Sequence, residues 1–405
     1  MREFTIERLG HLGDGIARGP LFAPMTLPGE IVSGELNGDR LNDIRIITPS
    51  TDRVRPPCPH FKSCGGCSLQ HASNSFLEVW KVQVVRDALA AHGLSAPVRL
   101  VATSPAKSRR RATLSGRRTK KGALVGLHAR ASDAIVEIPN CELLHSDLIA
   151  ALPVLREVVV LGGSRKGEVS LAVTRSDVGI DLSVTGGKPL DAGLRMKLAA
   201  LANQRGLARI SWDDELVAEC RPPVQQFGSA SVVPPAGSFL QATAEGQEAL
   251  VSAVKRAVGS AKRVVDLFAG CGTFSLPLAQ AAEVHAVEGE QAMLQALDTG
   301  WRHATGLKKI TTEARDLYQR PLMPDELKRF DAVVMDPPRV GAEAQTKQLA
   351  ESGNARIVLV SCNPVTFARD ARILVDAGFQ IDWVEVVDQF RWSPHVELVA
   401  SLSKG

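Results

Sequence analysis

A chain of 405 residues, 44% of them hydrophobic, has the composition of a soluble globular protein and is too long for one ordinary core, so two or three domains are expected. A formal net charge of +4 does not by itself demand a polyanionic partner, so the placing of the charges must decide. Met1-Arg2-Glu3-Phe4-Thr5-Ile6 carries no apolar signal stretch and no apolar run is long enough to cross a bilayer, which argues against a membrane protein and makes cytoplasmic residence the expectation.

From Phe4 to about Arg53, short β-like runs (Glu30 to Leu36, Asp43 to Ile47) alternate with glycine turns, a pattern that suits a small closed barrel. Ile6-Glu7-Arg8-Leu9-Gly10 through Gly13-Asp14-Gly15-Ile16-Ala17-Arg18 resembles a TRAM domain, an OB-like RNA-binding barrel. Next comes Cys58-x5-Cys64-x2-Cys67, with Cys141 much later. Seven cysteines, three of them crowded, suggest a metal site before disulfides in a reducing compartment. Two glycines in the close pair let backbone amides turn toward the sulfurs, as clustered thiolates require. The spacing leaves a [4Fe-4S] cluster and a zinc ion both open, with His60 and His71 as spare ligands.

A helical period follows from Phe76 to His92, with Val79, Val82, Val85 and Leu89 on one face. The basic stretches Lys107-Ser108-Arg109-Arg110-Arg111 and Arg117-Arg118-Thr119-Lys120-Lys121 flank short strand patterns and can track phosphates, although a charge run is usually a solvated face. Strands at Val169 to Thr174 and Gly179 to Val184 and a helix from Ala192 to Gln204 complete an α+β insert that carries Cys141. A Pro- and Gly-rich boundary from Pro222 to Pro235 separates it from Ser238-Phe239-Leu240-Gln241-Ala242-Thr243 and a helix from Ala244 to Val258. The expected domains are 1–55, 56–235 and 236–405.

The last domain reads as α/β. Arg263 to Phe268 is a strand leading into the glycine-rich loop Ala269-Gly270-Cys271-Gly272-Thr273, and a second strand ends in Glu288, where a carboxylate can accept from ribose hydroxyls. Asp331 to Met335 delivers Asp336-Pro337-Pro338-Arg339 to the same edge, with two prolines stiffening the turn. The apolar run Arg356 to Val360 reads as a strand buried on both faces; Asn363 caps a helix that Pro364 opens and Gly378 stops. Cys362 therefore sits at a strand's carboxyl end against a helix N-terminus, where ligands bind and a thiolate is favoured. A lone Cys in such a turn is more often packing, and the surrounding motifs reverse that preference. Pro394-His395-Val396-Glu397 precedes a final apolar strand, which puts Glu397 near the same pocket.

DLFAGCGTF, DPPR, SCNP and HVE, with the four-cysteine pattern and the barrel, together resemble the RNA uracil-C5 methyltransferases, specifically the iron–sulfur 23S ribosomal RNA branch, over nearly the whole chain. The resemblance implies a class I, Rossmann-like methyltransferase domain that uses S-adenosylmethionine, behind an OB-like TRAM barrel and a central α+β domain. It further implies Cys362 as nucleophile and Glu397 as base. Gln241, Phe268, Gly270, Thr273, Glu288, Asp316 and Asp336 are implied at the donor or substrate, and a [4Fe-4S] cluster on Cys58, Cys64, Cys67 and Cys141. Thr243 and Thr273 depart from the family's usual Asn at their positions, and Cys220 and Cys271 match no ligand position. The expected partner is RNA, most readily 23S ribosomal RNA, with neither a membrane nor an obligate protein partner indicated. A transfer-RNA uridine is the alternative substrate. Amino methylation is disfavoured because Arg339 stands where those enzymes place an aromatic, and a non-catalytic iron–sulfur RNA-binding factor because it needs neither Cys362 nor Glu397.

Overall fold

The computed structural model describes every residue except Met1 and Pro20. Its first unit is a closed five-stranded barrel, built from Arg2–Leu9, Gly15–Ala17, Leu21–Ala23, Ile31–Asn37 and Arg40–Thr48 around Ile6, Ala17, Ala23, Val32 and Leu41. The central unit is a seven-stranded sheet in which Val169–Ser176 pairs with both Arg111–Arg118 and Gly179–Thr185; the helices Leu152–Gly162 and Ala192–Arg205 cover it. Trp212, fully buried, fills the space that Gly162 and Gly187 leave open.

The third unit carries an eight-stranded sheet in the order Ile310–Ala314, Glu283–Glu288, Arg263–Leu267, Ala332–Met335, Arg356–Ser361, Glu397–Ser403, Gln380–Asp388, Val98–Thr103. The first five run parallel, and Glu397–Ser403 lies antiparallel to both neighbours. The order reverses beside Arg263–Leu267, which opens a crevice at the carboxyl ends, where such sheets bind ligands. An antiparallel strand begins where its parallel neighbours end, so Glu397 lies at that same edge.

Two features differ from the sequence reading. Val98–Thr103, expected in the central domain, pairs in parallel with Gln380–Asp388 and closes the third sheet. The helix before it, Asn74–Ala91, buries Leu77, Trp80, Lys81, Val85 and Leu89 and leaves Val79 71% exposed. Counting only apolar side chains misplaced the face, because the buried stripe includes a lysine.

The Lys81 ammonium is fully buried. It donates to Asp388 Oδ1 at 2.5 Å and to the carbonyls of His395 at 3.0 Å and Phe390 at 3.1 Å. Among the described residues no helix is long and apolar enough to cross a membrane. Lys81→Ala, which strands a buried carboxylate, is expected to destabilise the fold by about 3–5 kcal/mol, and Lys81→Met with Asp388→Leu by much less. Chemical denaturation of the variants, with limited proteolysis of the 388–396 segment, measures both.

Candidate active site

The carboxyl ends of the five parallel strands and the start of Glu397–Ser403 build the crevice. Phe268 follows Arg263–Leu267 with φ 62°, a left-handed conformation rare for a bulky residue, and turns the chain into the glycine loop. Gly270 follows at φ 55°, and a β-carbon there would meet nothing within 4 Å, so the backbone faces open space. Glu288, at the end of the next strand, accepts the N–H groups of Gly270 at 2.9 Å, Gly289 at 2.7 Å and Glu290 at 3.1 Å. Its carboxylate thus fixes the loop that it borders. Asp316 Oδ1 accepts the N–H of Tyr318 at 2.9 Å, which leaves its other oxygen free of that turn. Tyr318 stands 5.4 Å from the Phe268 ring. This sole tyrosine was overlooked in the sequence; its position two residues beyond Asp316, in a loop at the carboxyl edge, was the available signal. Thr273 is half-buried in the glycine loop, and Cys271 is buried, its thiol pushed up to about 12 by desolvation.

Across the crevice, Asn363 caps the helix Pro364–Asp376 by accepting the Val365 N–H, and its Nδ2 donates to the Arg339 carbonyl at 3.0 Å. Thr366 Oγ1 donates to the same carbonyl at 3.1 Å, so the Asp336-Pro337-Pro338-Arg339 turn is tied to the Cys362 turn. Arg339 Nη2 donates to His395 Nδ1 at 2.6 Å, and His395 is held neutral, its pKa pushed down to about 4 by burial and by Arg339. Ser361 pairs with Leu398, and one further step of that register sets Cys362 opposite Glu397.

The electrostatics depart from the expected helix-stabilised thiolate. Burial, then the Glu397 and Asp336 charges, push the half-buried Cys362 thiol up to about 11 against the pull of Arg339. Burial also raises Glu397 to about 7, while Gln389 and Arg339 oppose the rise. Asp336 is pushed well above the usual carboxylate range by burial, Glu397 and Asp266. Asp266, fully buried behind them, is raised to about 7 and accepts from Ser275 Oγ at 2.5 Å.

Gln241 is 3% exposed; its side-chain oxygen accepts from Gln389, and its carbonyl accepts from Arg110 Nε at 3.1 Å. Arg110 is itself buried and also donates to Gln247, while Arg117 pairs with Glu168. Arg110 thus supports neighbouring loops, whereas the Arg117 side chain stays 42% exposed beside Glu168. Thr243 caps the helix Ala244–Val258 by accepting the Gly246 N–H.

The cysteine loop lies apart from the crevice. Cys58, Cys64 and Cys67 are buried and Cys141 half-buried. Burial raises the Cys67 thiol to about 12 and also raises Cys64 and Cys141, and the charges of neighbouring cysteines add to each rise. The N–H of Gly66 donates to Cys64 Sγ at 3.3 Å and that of Leu143 to Cys141 Sγ at 3.4 Å. Among the described residues no group of three or more His, Cys, Asp or Glu is placed to hold a single metal ion. His60 accepts from the Asn140 N–H, and His71 is buried against Phe61.

A family model described as tRNA (uracil-5-)-methyltransferase matches residues 306–405. A protein of Rhizobium meliloti named as an uncharacterized RNA methyltransferase is 45% identical over 99% of this chain and 99% of its own length. The 23S rRNA (uracil(1939)-C(5))-methyltransferase RlmD of Shewanella piezotolerans is 32% identical over 99% of this chain and 95% of its own. Among solved structures, the Pyrococcus abyssi tRNA (uracil-54, C5)-methyltransferase, in complex with S-adenosyl-L-homocysteine, shares the fold with a TM-score of 0.76 at 22% identity, covering 99% of each chain.

With its thiol pushed up to about 11, Cys362 is expected to be alkylated slowly at pH 7, the rate climbing about tenfold per pH unit toward that value. Arg339→Ala, which removes a cation that pulls the thiol down, is expected to slow it further at pH 8. Iodoacetamide labelling followed by peptide mapping reads both.

Proposed function

The chain belongs to the RNA uracil-C5 methyltransferase family, and on that premise we propose that it methylates C5 of a uridine in 23S ribosomal RNA through a covalent bond between Cys362 and C6 of the base. The observation that carries this reading is a half-buried thiol, one residue past the end of its strand, that feels the charge of a buried carboxyl at the start of the neighbouring strand, at the carboxyl edge of the sheet.

Uracil C5 is a poor nucleophile. As the Cys362 sulfur bonds to C6 its proton passes to solvent water at the half-exposed mouth, and the ring electrons move to C5, which becomes enolate-like. S-adenosylmethionine, when bound, supplies the methyl group as an electrophile. The glycine loop and Phe268, Gly270, Thr273, Glu288, Asp316 and Gln241 would hold it; the open space at Gly270 and the carboxylates bordering it support that fit. Glu397 takes the C5 proton, the C6–S bond breaks, and the ring double bond is restored. Asp336 and Arg339 set the charge around the thiol, and the target nucleotide must leave its stack to reach it.

Residues 1–55 and 56–235 would select the RNA, with the segment 74–103 serving the catalytic sheet instead. Cys58, Cys64, Cys67 and Cys141 would hold a [4Fe-4S] cluster. Support comes from Cys58, Cys64 and Cys141 lying close enough to add to the raising of the Cys67 thiol, and from backbone N–H groups aimed at two of the sulfurs, the contacts that tune such clusters. A transfer-RNA uridine is the second reading, favoured by the names of the matching family model and of the solved structure of the same fold.

Wild type, Cys362→Ala and Glu397→Gln, purified without oxygen, are mixed with S-adenosylmethionine and either deproteinised 23S RNA or bulk transfer RNA. Glu397→Gln is expected to accumulate a denaturation-resistant adduct and to turn over about 10²–10⁴-fold more slowly, with none formed by Cys362→Ala. Methyl transfer by Cys362→Ala would overturn the covalent route, and methylation of transfer RNA alone would select the second reading. Because Glu397 must be ionised to take the proton and its pKa is raised to about 7, activity is expected to fall as pH drops below 7 rather than below the ordinary carboxylate range. A single-turnover pH profile measures this.

A further inference from the structure

Gln389 follows the strand Gln380–Asp388 and is 1% exposed. Its Oε1 accepts the backbone N–H of Ala242 at 2.8 Å, and its Nε2 donates to Gln241 Oε1 at 2.6 Å and Glu397 Oε2 at 2.9 Å. The amide cannot be turned round. A backbone N–H only donates, so the oxygen must face Ala242 and both N–H bonds must face the two acceptors. The chain also makes room for it: a β-carbon at Gly246 would lie 2.6 Å from the Gln389 β-carbon.

Two consequences follow from this geometry. With its oxygen engaged, Gln241 is left with its NH2 as the free end, a donor suited to an acceptor oxygen on the bound methyl donor or base. Glu397 receives a donor on one oxygen, which favours the carboxylate and leaves the other oxygen to take a proton.

We propose that Gln389 is a positioning residue for methyl transfer, a single buried carboxamide that sets which end of Gln241 faces the pocket and which oxygen of Glu397 acts as base. The inference rests on the roles given above to those two residues. Asp336 and Arg339, from the loop after Ala332–Met335, and Cys362, after Arg356–Ser361, face the same carboxyl and are unchanged by substitutions at 389.

Gln389→Met keeps the length of the side chain and removes both donors. It is expected to move the acid limb of single-turnover methyl transfer up by about one pH unit and to weaken binding of S-adenosyl-L-homocysteine, measured by calorimetry, by about tenfold. Gln389→Glu, which turns a carboxyl toward Glu397, is expected to be slower than Gln389→Met at pH 8. An unmoved acid limb with wild-type affinity in Gln389→Met overturns the proposal, as does a Gln389→Glu no slower than Gln389→Met. If Gln389→Met loses its fold in a thermal scan, Gly246→Ala, which pushes the same carboxamide aside, is read in its place against the same two outcomes. Calorimetry does not depend on the covalent step, so absence of a Cys362 adduct in the Glu397→Gln protein sinks the reaction scheme separately.

Discussion

The buried ammonium of Lys81 is the constraint on which the rest of the molecule hangs. It is caged by the Asp388 carboxylate and two carbonyls, and all three acceptors belong to one turn, residues 388 to 395. That turn ties together segments far apart in the chain. The Trp392 carbonyl accepts the N–H groups of Ser68 and Leu69, each at 3.0 Å, directly after Cys67. Arg391 donates to the Ser104 carbonyl and to Asn74 Oδ1, and His395 meets Arg339. A buried ion pair contributes little net stability, since desolvation offsets most of the Coulomb gain. Its effect here is to permit one arrangement of a turn that would otherwise have many.

Strain at two positions follows from the same logic. Trp392 has φ 59° and Phe268 has φ 62°, each costing about 1–3 kcal/mol for a non-glycine residue. Each is held by packing: Trp392 is buried with Leu69, Phe61 and Trp80, and Phe268 lies against Tyr318. Both sit where the chain turns sharply beside the crevice, one before Glu397 and one before the glycine loop.

Much of the fold was legible because local and global signals agreed. Arg356–Ser361 and Pro364–Asp376 stand where an apolar run, an Asn cap, a first-turn Pro and a closing Gly put them, and the helix Ala244–Val258 has both expected ends. The crevice residues were legible through motif chemistry at strand ends. What was hidden depends on tertiary pairing. A lysine on the buried face of Asn74–Ala91 finds its partner some 300 residues away, at Asp388, and Val98–Thr103 is completed only by a strand near the other end of the chain. Gln389 carries no local mark at all; its meaning lies in three partners drawn from two other segments. Arg110 looked like part of a phosphate-binding run because sequence reports charge and not depth.

The resting electrostatics of the crevice make sense as a single balance. Burial raises three neighbouring carboxyls, Asp266, Asp336 and Glu397, and the Cys362 thiol beside them, so each holds its proton more strongly than it would in water. Arg339 is the one cation that both the thiol and Glu397 feel, and it is exposed, bound to a neutral His395, and therefore able to change partners. A polar base entering the mouth replaces water around these groups and brings oxygens that Arg339 can pair with. The balance then depends on Gln389, which keeps its donors on Glu397 and Gln241 whatever Arg339 does, because its own oxygen is fixed by a backbone N–H. The proposed order, a nucleophile first and a base afterwards, suits this division: an exposed cation beside the sulfur, and a buried amide with its oxygen fixed by a backbone N–H behind the carboxylate.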